Sequence, residues 1–213
     1  MTNAMATDAP ATKTFAAARH GATEGRLDVT RGGTHITVRA AEHADLCEAR
    51  FEGARPTIAA DEGRVAIAYP RFSFSDLLRH PGHSAEIGLS PAVPWSLVFD
   101  GGLGESSLDL SGLDLRGLKV VGGVGRVQIV LPEPRAVVPV TIGGGASKLE
   151  VLHSAGVAVR LRIAGGATRL AFAGNQHPAM GGAQLETPRA SSAAERYEIE
   201  ILGGASEVTV AEI

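Results

Sequence analysis

Cysteine is almost missing from this 213-residue chain. Cys47 is the only one, so no intrachain disulfide can form and no zinc site can be built from cysteines alone. This usage is compatible with a reducing compartment. We expect Cys47 itself to be a small buried hydrophobic residue.

Aromatic residues and long apolar runs are also scarce. Aromatics make up 4% of the chain while hydrophobic residues make up 44%, so a core must be built from Val, Leu, Ile and Ala. No run of about 18 apolar residues is present, and the N-terminal stretch lacks the apolar centre of a secretory signal. The sequence therefore predicts a cytoplasmic protein with no direct membrane insertion, whose association with the envelope would depend on a partner.

Neither sign of charge dominates. The 20 basic and 23 acidic side chains give a net charge of −3 and are spread along the chain. No basic run stands out, so the electrostatic footprint of nucleic-acid binding is missing, and no nucleic-acid partner is expected. The Ala/Thr-rich residues 1–26 are predicted to form a flexible N-terminal tail before a single domain at 27–213.

Glycine, by contrast, is abundant, with 27 residues. A Gly-Gly step recurs, followed by a small residue, polar residues and alternating aliphatics. The steps begin at Gly101, Gly122, Gly143, Gly165 and Gly203, at intervals of 21, 21, 22 and 38 residues. The last interval holds one period plus the segment 175–195, which is predicted to be a long loop. Repeats at this period are typical of a solenoid.

The pattern predicts an all-β, single-domain β-solenoid. We expect a right-handed, β-helix-like stack with about 21 residues per turn and three or four short strands in each turn. Glycine suits the corners because tight bends often need positive φ, and because stacked glycines let backbones approach. A β-sandwich is the alternative, since it also has short strands and regular turns. The predicted structural glycine corners are Gly101, Gly102, Gly122, Gly123, Gly143, Gly144, Gly165, Gly166, Gly203 and Gly204.

Two segments interrupt the pattern. Residues 71–83 are predicted to be an insertion that carries His80 and His83, and the 175–195 segment carries His177. If the two segments met, these imidazoles could bind zinc or nickel. Unrelated, solvated histidines are the simpler interpretation, so no metal and no cofactor are expected.

Carboxylates gather near the first glycine step, at Asp100, Glu105, Asp109 and Asp114. Glycosidases use paired carboxylates, but Asp109 alternates with Leu108 and Leu110 and is expected to face solvent. The glycine steps do not continue into a phosphate-binding motif. We therefore predict no catalytic residue. Five arginines at outward positions could form a basic ladder for an anionic polymer, or could pair with Glu133, Glu150 and Glu207; these are Arg126, Arg135, Arg160, Arg162 and Arg169.

Several runs carry a family resemblance. AEIGL at 85–89, PW at 94–95, LDLSGL at 108–113, LPEP at 131–134, GGGA at 143–146 and RYEIEILGGASEVTV at 196–210 resemble the bacterial toast-rack or "putative adhesin" domains. The resemblance covers roughly residues 27–213. It implies an all-β domain of unknown specific function, found alone or at the C-termini of envelope-stress proteins related to phage-shock protein C and the LiaF regulators. It brings no catalytic residues with it.

The expected function is that of a non-enzymatic structural or protein-interaction module. Its partner is another protein or a second copy, because the ends of a solenoid expose strand edges. Capping by the N-terminal segment or by 175–195 would block that self-association. Two alternatives stay open: a carbohydrate-active β-helix enzyme or polysaccharide binder, and a small-ligand or metal sensor built on the two interrupting segments.

Overall fold

The computed structural model describes residues 13–31, 35–53, 56–70 and 84–213. Within these ranges the chain forms eighteen β-strands and no helix. The predicted insertion at 71–83 lies outside the described residues, as do residues 1–12.

The strands are numbered in chain order. They are β1 Lys13–Ala17, β2 Gly25–Thr30, β3 His35–Ala40, β4 Cys47–Glu52, β5 Thr57–Asp61, β6 Arg64–Ala68, β7 Ser84–Leu89, β8 Pro94–Asp100, β9 Leu103–Asp109, β10 Asp114–Val120, β11 Val124–Val130, β12 Val137–Ile142, β13 Ala146–His153, β14 Val159–Phe172, β15 Asn175–His177, β16 Met180–Glu186, β17 Arg196–Ile201 and β18 Ala205–Glu212.

Each turn of the solenoid contributes one strand to each of two parallel ladders. The first ladder, face A, stacks β6, β2, β8, β10, β12, β17 and the first part of β14. The second, face B, stacks β7, β3, β9, β11, β13, β18 and the second part of β14. The all-β solenoid is confirmed, and the β-sandwich alternative is wrong because its sheets are antiparallel.

The prediction of three or four strands per turn is also wrong. The middle turns hold two strands of six to eight residues each, joined at the glycine step. Within β9, β11 and β13 two residues rather than one separate the first two inward side chains, and β10 has a bulge at residue 116, so these strands are irregular without being divided into shorter ones.

The stacking order departs from the chain order at both ends. The β2–β3 turn lies between β6–β7 and β8–β9. The last turn, β17–β18, lies between β12–β13 and β14. This insertion explains the 38-residue interval, because the chain leaves a gap after β13, forms the far end and then returns to fill the gap.

Antiparallel strands close both ends. At one end β5 pairs with β6 on face A, while β4 and then β1 extend face B beyond β7. At the other end β16 and β15 pair with β14. A two-residue turn at Ala173 (φ 48) and Gly174 (φ 78) reverses the chain into β15, as expected for a hairpin that needs positive φ at both positions.

These caps correct two sequence expectations. Lys13–Ala17, within the expected flexible tail, form β1, because the edge of β4 supplies backbone partners for every one of its residues. The expected long loop at 175–195 contains β15 and β16 for the same reason, since the edge of β14 would otherwise lack hydrogen bonds.

One aliphatic core fills the space between the ladders. Trp95 is fully buried and its Nε1 donates a hydrogen bond to the carbonyl oxygen of Ser90 at 2.8 Å. A Cβ on Gly25 would lie 2.7 Å from the Trp95 ring, so glycine is needed where that ring packs. Tyr197 is also fully buried and donates to the carbonyl oxygen of Pro132 at 2.8 Å.

The glycine steps stack into a column. Amide groups link successive turns, from Gly122 to the Gly101 carbonyl at 2.9 Å and from Gly144 to the Gly122 carbonyl at 3.0 Å, and the column continues through Gly203 and Gly165. A Cβ on Gly122 would lie 2.6 Å from the carbonyl carbon of Gly101. Among the ten glycines of these steps only Gly101 has positive φ, at 145°, so close backbone approach is the main reason for glycine here.

Candidate functional site

The carboxylates near the first glycine step do not form one cluster. Asp109 accepts hydrogen bonds from the amide and hydroxyl of Ser111 at 3.2 and 2.6 Å, which fixes a corner on face B. Asp114, at the start of β10 on face A, pairs with Arg116 at 3.0 Å. Glu105 points outward from face B and pairs with Arg126 at 2.7 Å. Each carboxylate therefore stabilises its own local structure.

Only one of the three candidate metal-binding histidines lies within the described residues. His80 and His83 lie outside them, and His177 is a half-buried residue of the short strand β15. In the part of the chain that the structure describes, no group of three or more His, Cys, Asp or Glu side chains is placed to hold a metal ion.

Cys47 is fully buried, as expected for a small hydrophobic residue. Burial, with a smaller contribution from the nearby Glu48 carboxylate, raises the pKa of its thiol to about 12. A thiol that stays protonated at neutral pH is a poor nucleophile and a poor metal ligand.

The aromatic side chains that would stack on a sugar are in the core. Trp95, Tyr69 and Tyr197 each expose 1% or less of their surface. A carbohydrate platform on either face would therefore have to be built without Trp or Tyr, which disfavours the polysaccharide alternative.

The outward side of face B is charged along its length. One row across the stacked strands contains Glu105, Arg126, Lys148, Glu207 and Arg169. Glu207 lies 3.3 Å from Lys148 and 3.2 Å from Arg169. Hydrogen bonds and charge from Arg126 lower the pKa of Glu105, and those from Lys148 lower that of Glu207.

Ion pairs also account for the outward arginines. Arg160 pairs with Glu186 at 2.7 Å and with Glu198 at 3.3 Å, and Arg162 pairs with Glu200. Of the three glutamates expected to pair with arginines, Glu207 pairs with Arg169, whereas Glu150 accepts a hydrogen bond from Gln128. Carboxylates thus lie between the arginines along the stacked strands, and the described arginines do not form a continuous basic ladder.

The middle of face A is different. Its outward positions on three adjacent strands are mostly uncharged, and we call them the low-charge band. The charged side chains on the outward side of these strands are Lys119, Arg116 in the bulge of β10, and Asp114 and Asp100 at strand ends. The uncharged members are Ser96 and Val98 on β8, Gly117 and the adjoining Val121 on β10, and Val137, Pro139 and Thr141 on β12.

Large aliphatic side chains are exposed at this band. Val121 and Val137 expose 44% and 41% of their surface, and the neighbouring Leu202 exposes 48%. Backbone hydrogen bonds place Val121, Gly143 and Leu202 on successive turns, so the two aliphatic side chains flank a position with no side chain. The result is a shallow apolar notch at the edge of face A.

Pro139 is unusual because it occupies a central strand. It has no N–H to donate, and the pairing of β10 with β12 begins only at the next position, Leu118 with Val140. A Cβ on Gly117 would lie 3.5 Å from the Pro139 ring, so the ring packs over this glycine, just after the β-bulge at residue 116. The ring and this glycine form an uncharged patch beside the exposed side chain of Arg116.

Ion pairs bound the band on both sides. On the β2 side, Asp28 is nearly buried and is held by Arg26 at 3.0 Å and Arg64 at 2.6 Å. On the β17 side, Arg196 pairs with Glu198 at 2.7 Å. Sequence motifs of chemically active side chains do not reveal the band, because its members are mostly small, aliphatic or hydroxyl side chains. The sequence carries only a partial signal, a scarcity of charge at alternate positions in 96–98, 117–121 (apart from Lys119) and 137–141, because strand pairing decides which of these positions become neighbours.

The architecture defines an all-β solenoid domain with closed ends. Residues 6–152 match the model of the N-terminal domain of toast_rack, DUF2154, so the chain belongs to the toast-rack family. Its specific function is not given by that membership, and nothing in the family description indicates catalysis. None of the curated proteins matches the sequence. Within the described residues no helix is suited to cross a membrane.

One solved structure supports the fold, and a second is reported with it. A protein from Clostridium sporogenes described as a "putative cell adhesion protein" shares 21% identity, with a TM-score of 0.77 over 96% of this chain and 100% of its own. A protein from Bacteroides fragilis described as a "putative adhesin" shares 12% identity, with a TM-score of 0.36 over 97% of this chain and 98% of its own.

Proposed function

We propose that this chain is a non-catalytic protein-interaction module that binds another protein through the low-charge band of face A. The observation that carries the proposal is the contrast between the two faces. Face B is charged along its length, whereas face A presents exposed aliphatic side chains framed by ion pairs. An apolar centre with a polar rim is typical of protein contact surfaces.

The size of the band indicates the kind of contact. Three strands spaced about 4.8 Å apart and seven residues long cover about 14 by 23 Å, on the order of 300 Å². A standard interface buries about 800 Å² on each partner. The contact therefore extends over the flanking ion pairs, which select the partner by charge, while the aliphatic centre supplies most of the affinity.

Three further features support a role without catalysis. The carboxylates near the first glycine step serve local structure, the thiol of Cys47 is buried and protonated, and the described residues hold no metal-binding cluster. The description of the Clostridium sporogenes protein as a "putative cell adhesion protein" agrees with a binding role.

Site-specific photocrosslinking in the native host tests the proposal. A photoreactive amino acid is placed at Thr141 on face A or, as the matched control, at Thr209 on face B. Both are half-exposed outward threonines, and each lies on a strand that has a partner on either side. We expect a discrete protein adduct from position 141 and none from position 209. Equal adducts from both, or an adduct from position 209 alone, would overturn the proposal.

A further inference from the structure

The outer edges of the cap strands are unequally protected. Natural sheets guard free edges with lysine, proline, bulges or very short strands. β1 begins with Lys13, β15 has three residues, and β16 carries Gly182 at φ 60° beside an irregularity in its pairing with β14. Each of these three edges has a feature that discourages further pairing.

β5 has none of these features. Its sequence is Thr-Ile-Ala-Ala-Asp, with no lysine and no proline. It pairs with β6 in continuous antiparallel register from Thr57 opposite Ala68 to Asp61 opposite Arg64. Among the described strands β6 is its sole partner, and no described strand pairs with the opposite edge of β5.

The side chains of β5 are unusually exposed as well. Ile58 and Ala60 lie opposite the core residues Ile67 and Val65, so their side chains point inward. Nevertheless, Ile58 is only half-buried and Ala60 is exposed. The described residues therefore leave the inner side of the sheet partly uncovered at this end of the solenoid.

We propose that β5 pairs in antiparallel fashion with β5 of a second copy of this chain, across a two-fold axis at Ala59. In this register Ala59 faces Ala59, Ile58 faces Ala60, and Thr57 faces Asp61. Small side chains meet at the axis, and apolar side chains meet on the inner side. The threonine hydroxyl faces a carboxylate that can accept a hydrogen bond from it, and no like charges lie directly opposite one another.

The edge is therefore complementary to itself, which favours a second copy over an unrelated strand. Pairing would continue face A from one copy into the next. The contact is independent of the low-charge band, which lies on other strands. Five residues extend only about 17 Å, so the buried area is well below that of a standard interface, and the dimer is weak and reversible.

Sedimentation equilibrium of the full chain tests the proposal first. The average mass should rise above the monomer value of 21.9 kDa as the concentration approaches about 1 mM. An Ala59→Cys variant should form a disulfide-linked dimer on mild oxidation, because opposed residues in antiparallel strands have Cα atoms about 4.5–5.5 Å apart. Gln184→Cys, at an exposed position on the β16 cap, is the matched control.

A charge exchange provides the decisive comparison. Ala59→Lys and Ala59→Glu should each be monomeric, because like charges meet at the axis, and an equimolar mixture should recover the dimer. Val121→Glu should leave dimer formation unchanged, which separates this contact from the low-charge band. A wild-type chain that stays monomeric at about 1 mM, or equal crosslinking of the two cysteine variants, would refute the pairing.

Discussion

At the scale of single residues, the two reasons expected for the glycine steps carry unequal weight. Positive φ was one expected reason, yet Gly101 alone among the step glycines has it. Close backbone approach was the other, and it applies widely, because a Cβ at Gly122 or Gly144 would lie within 2.6 Å of backbone atoms in the neighbouring turn. Backbone contacts between turns depend on the fold, so the sequence marks the positions of these glycines but does not decide between the two reasons.

Gly122→Ala should destabilise the protein by about 1–3 kcal/mol, because the new methyl group would overlap the backbone of Gly101 and Gly102, which can move only by breaking the ladder. Gly181→Ala is the control, since nothing lies within 4 Å of its added Cβ. Urea unfolding midpoints measure both. An equal loss in the two variants would show that close approach is not the cause.

Ser106 is a polar residue among inward aliphatic side chains. Its buried Oγ accepts a hydrogen bond from the amide of Ile36 at 3.2 Å, just before the pairing of β3 with β9 begins at Thr37. Ser106→Ala should cost about 1–3 kcal/mol by leaving a buried amide without an acceptor. Ser107→Ala, at the neighbouring outward position, should have almost no effect in the same thermal and urea unfolding measurements.

At the scale of elements, the two faces of each turn carry different chemistry although their inner sides are alike. Alternation in the sequence predicts which residues point outward. It does not predict which outward residues become neighbours, because that depends on strand register and on stacking order. The low-charge band consists of such neighbours, drawn from β8, β10 and β12, and so it could be recognised only after the pairing was known.

Val121→Glu should reduce crosslinking from position 141 by about tenfold or more. A carboxylate added to the apolar notch would cost at least about 1.4 kcal/mol on binding. Val130→Glu, at an outward position of face B, is the control and should leave crosslinking unchanged. Thermal melts of both variants should establish that they are folded. Loss of crosslinking in the control alone would argue for face B.

Acid should weaken the outer row of face B. Arg126 and Lys148 lower the pKa values of Glu105 and Glu207 below the ordinary 4.5. The two ionised carboxylates therefore stabilise the fold fully above that value, and this stabilisation disappears as the pH falls through their lowered, folded-state pKa values. Unfolding midpoints between about pH 6 and pH 2.5 should depend less on pH in Glu105→Gln and Glu207→Gln than in wild type.

Salt provides the control for this effect. Both carboxylates are exposed, so the difference between variants and wild type should shrink at about 1 M salt, where screening acts over about 3 Å. A pH dependence that is the same in wild type and variants at low salt would show that these ion pairs do not contribute.

At the scale of the whole molecule, the solenoid was predictable because every turn repeats the same corner. The caps were not, because β1 and β15 are stabilised by the edges they cover more than by a pattern of their own. The stacking order was equally hidden. Inward aliphatic residues are similar in all turns, so the sequence does not distinguish one neighbouring turn from another.

Removal of residues 1–18 should make the protein prone to aggregation. The edge of β4 would lose its antiparallel partner, and Phe15 and Ala17 would leave the core. Light scattering during incubation at 37 °C should rise relative to the full chain. Removal of residues 1–12 alone, which leaves β1 in place, is the matched control and should behave as wild type.

The position of the last turn also sets the order of assembly during synthesis. Both edges that flank β17–β18 belong to strands made earlier, and neither edge has its final partner until residues 196–213 have been translated. Folding from the N-terminus can proceed only as far as β13, while β14 and its cap must wait for a partner from the C-terminus. Completion of the ladders therefore waits until residues 196–213 have left the ribosome, and a ribosome that stops before residue 196 releases a chain with two open parallel edges.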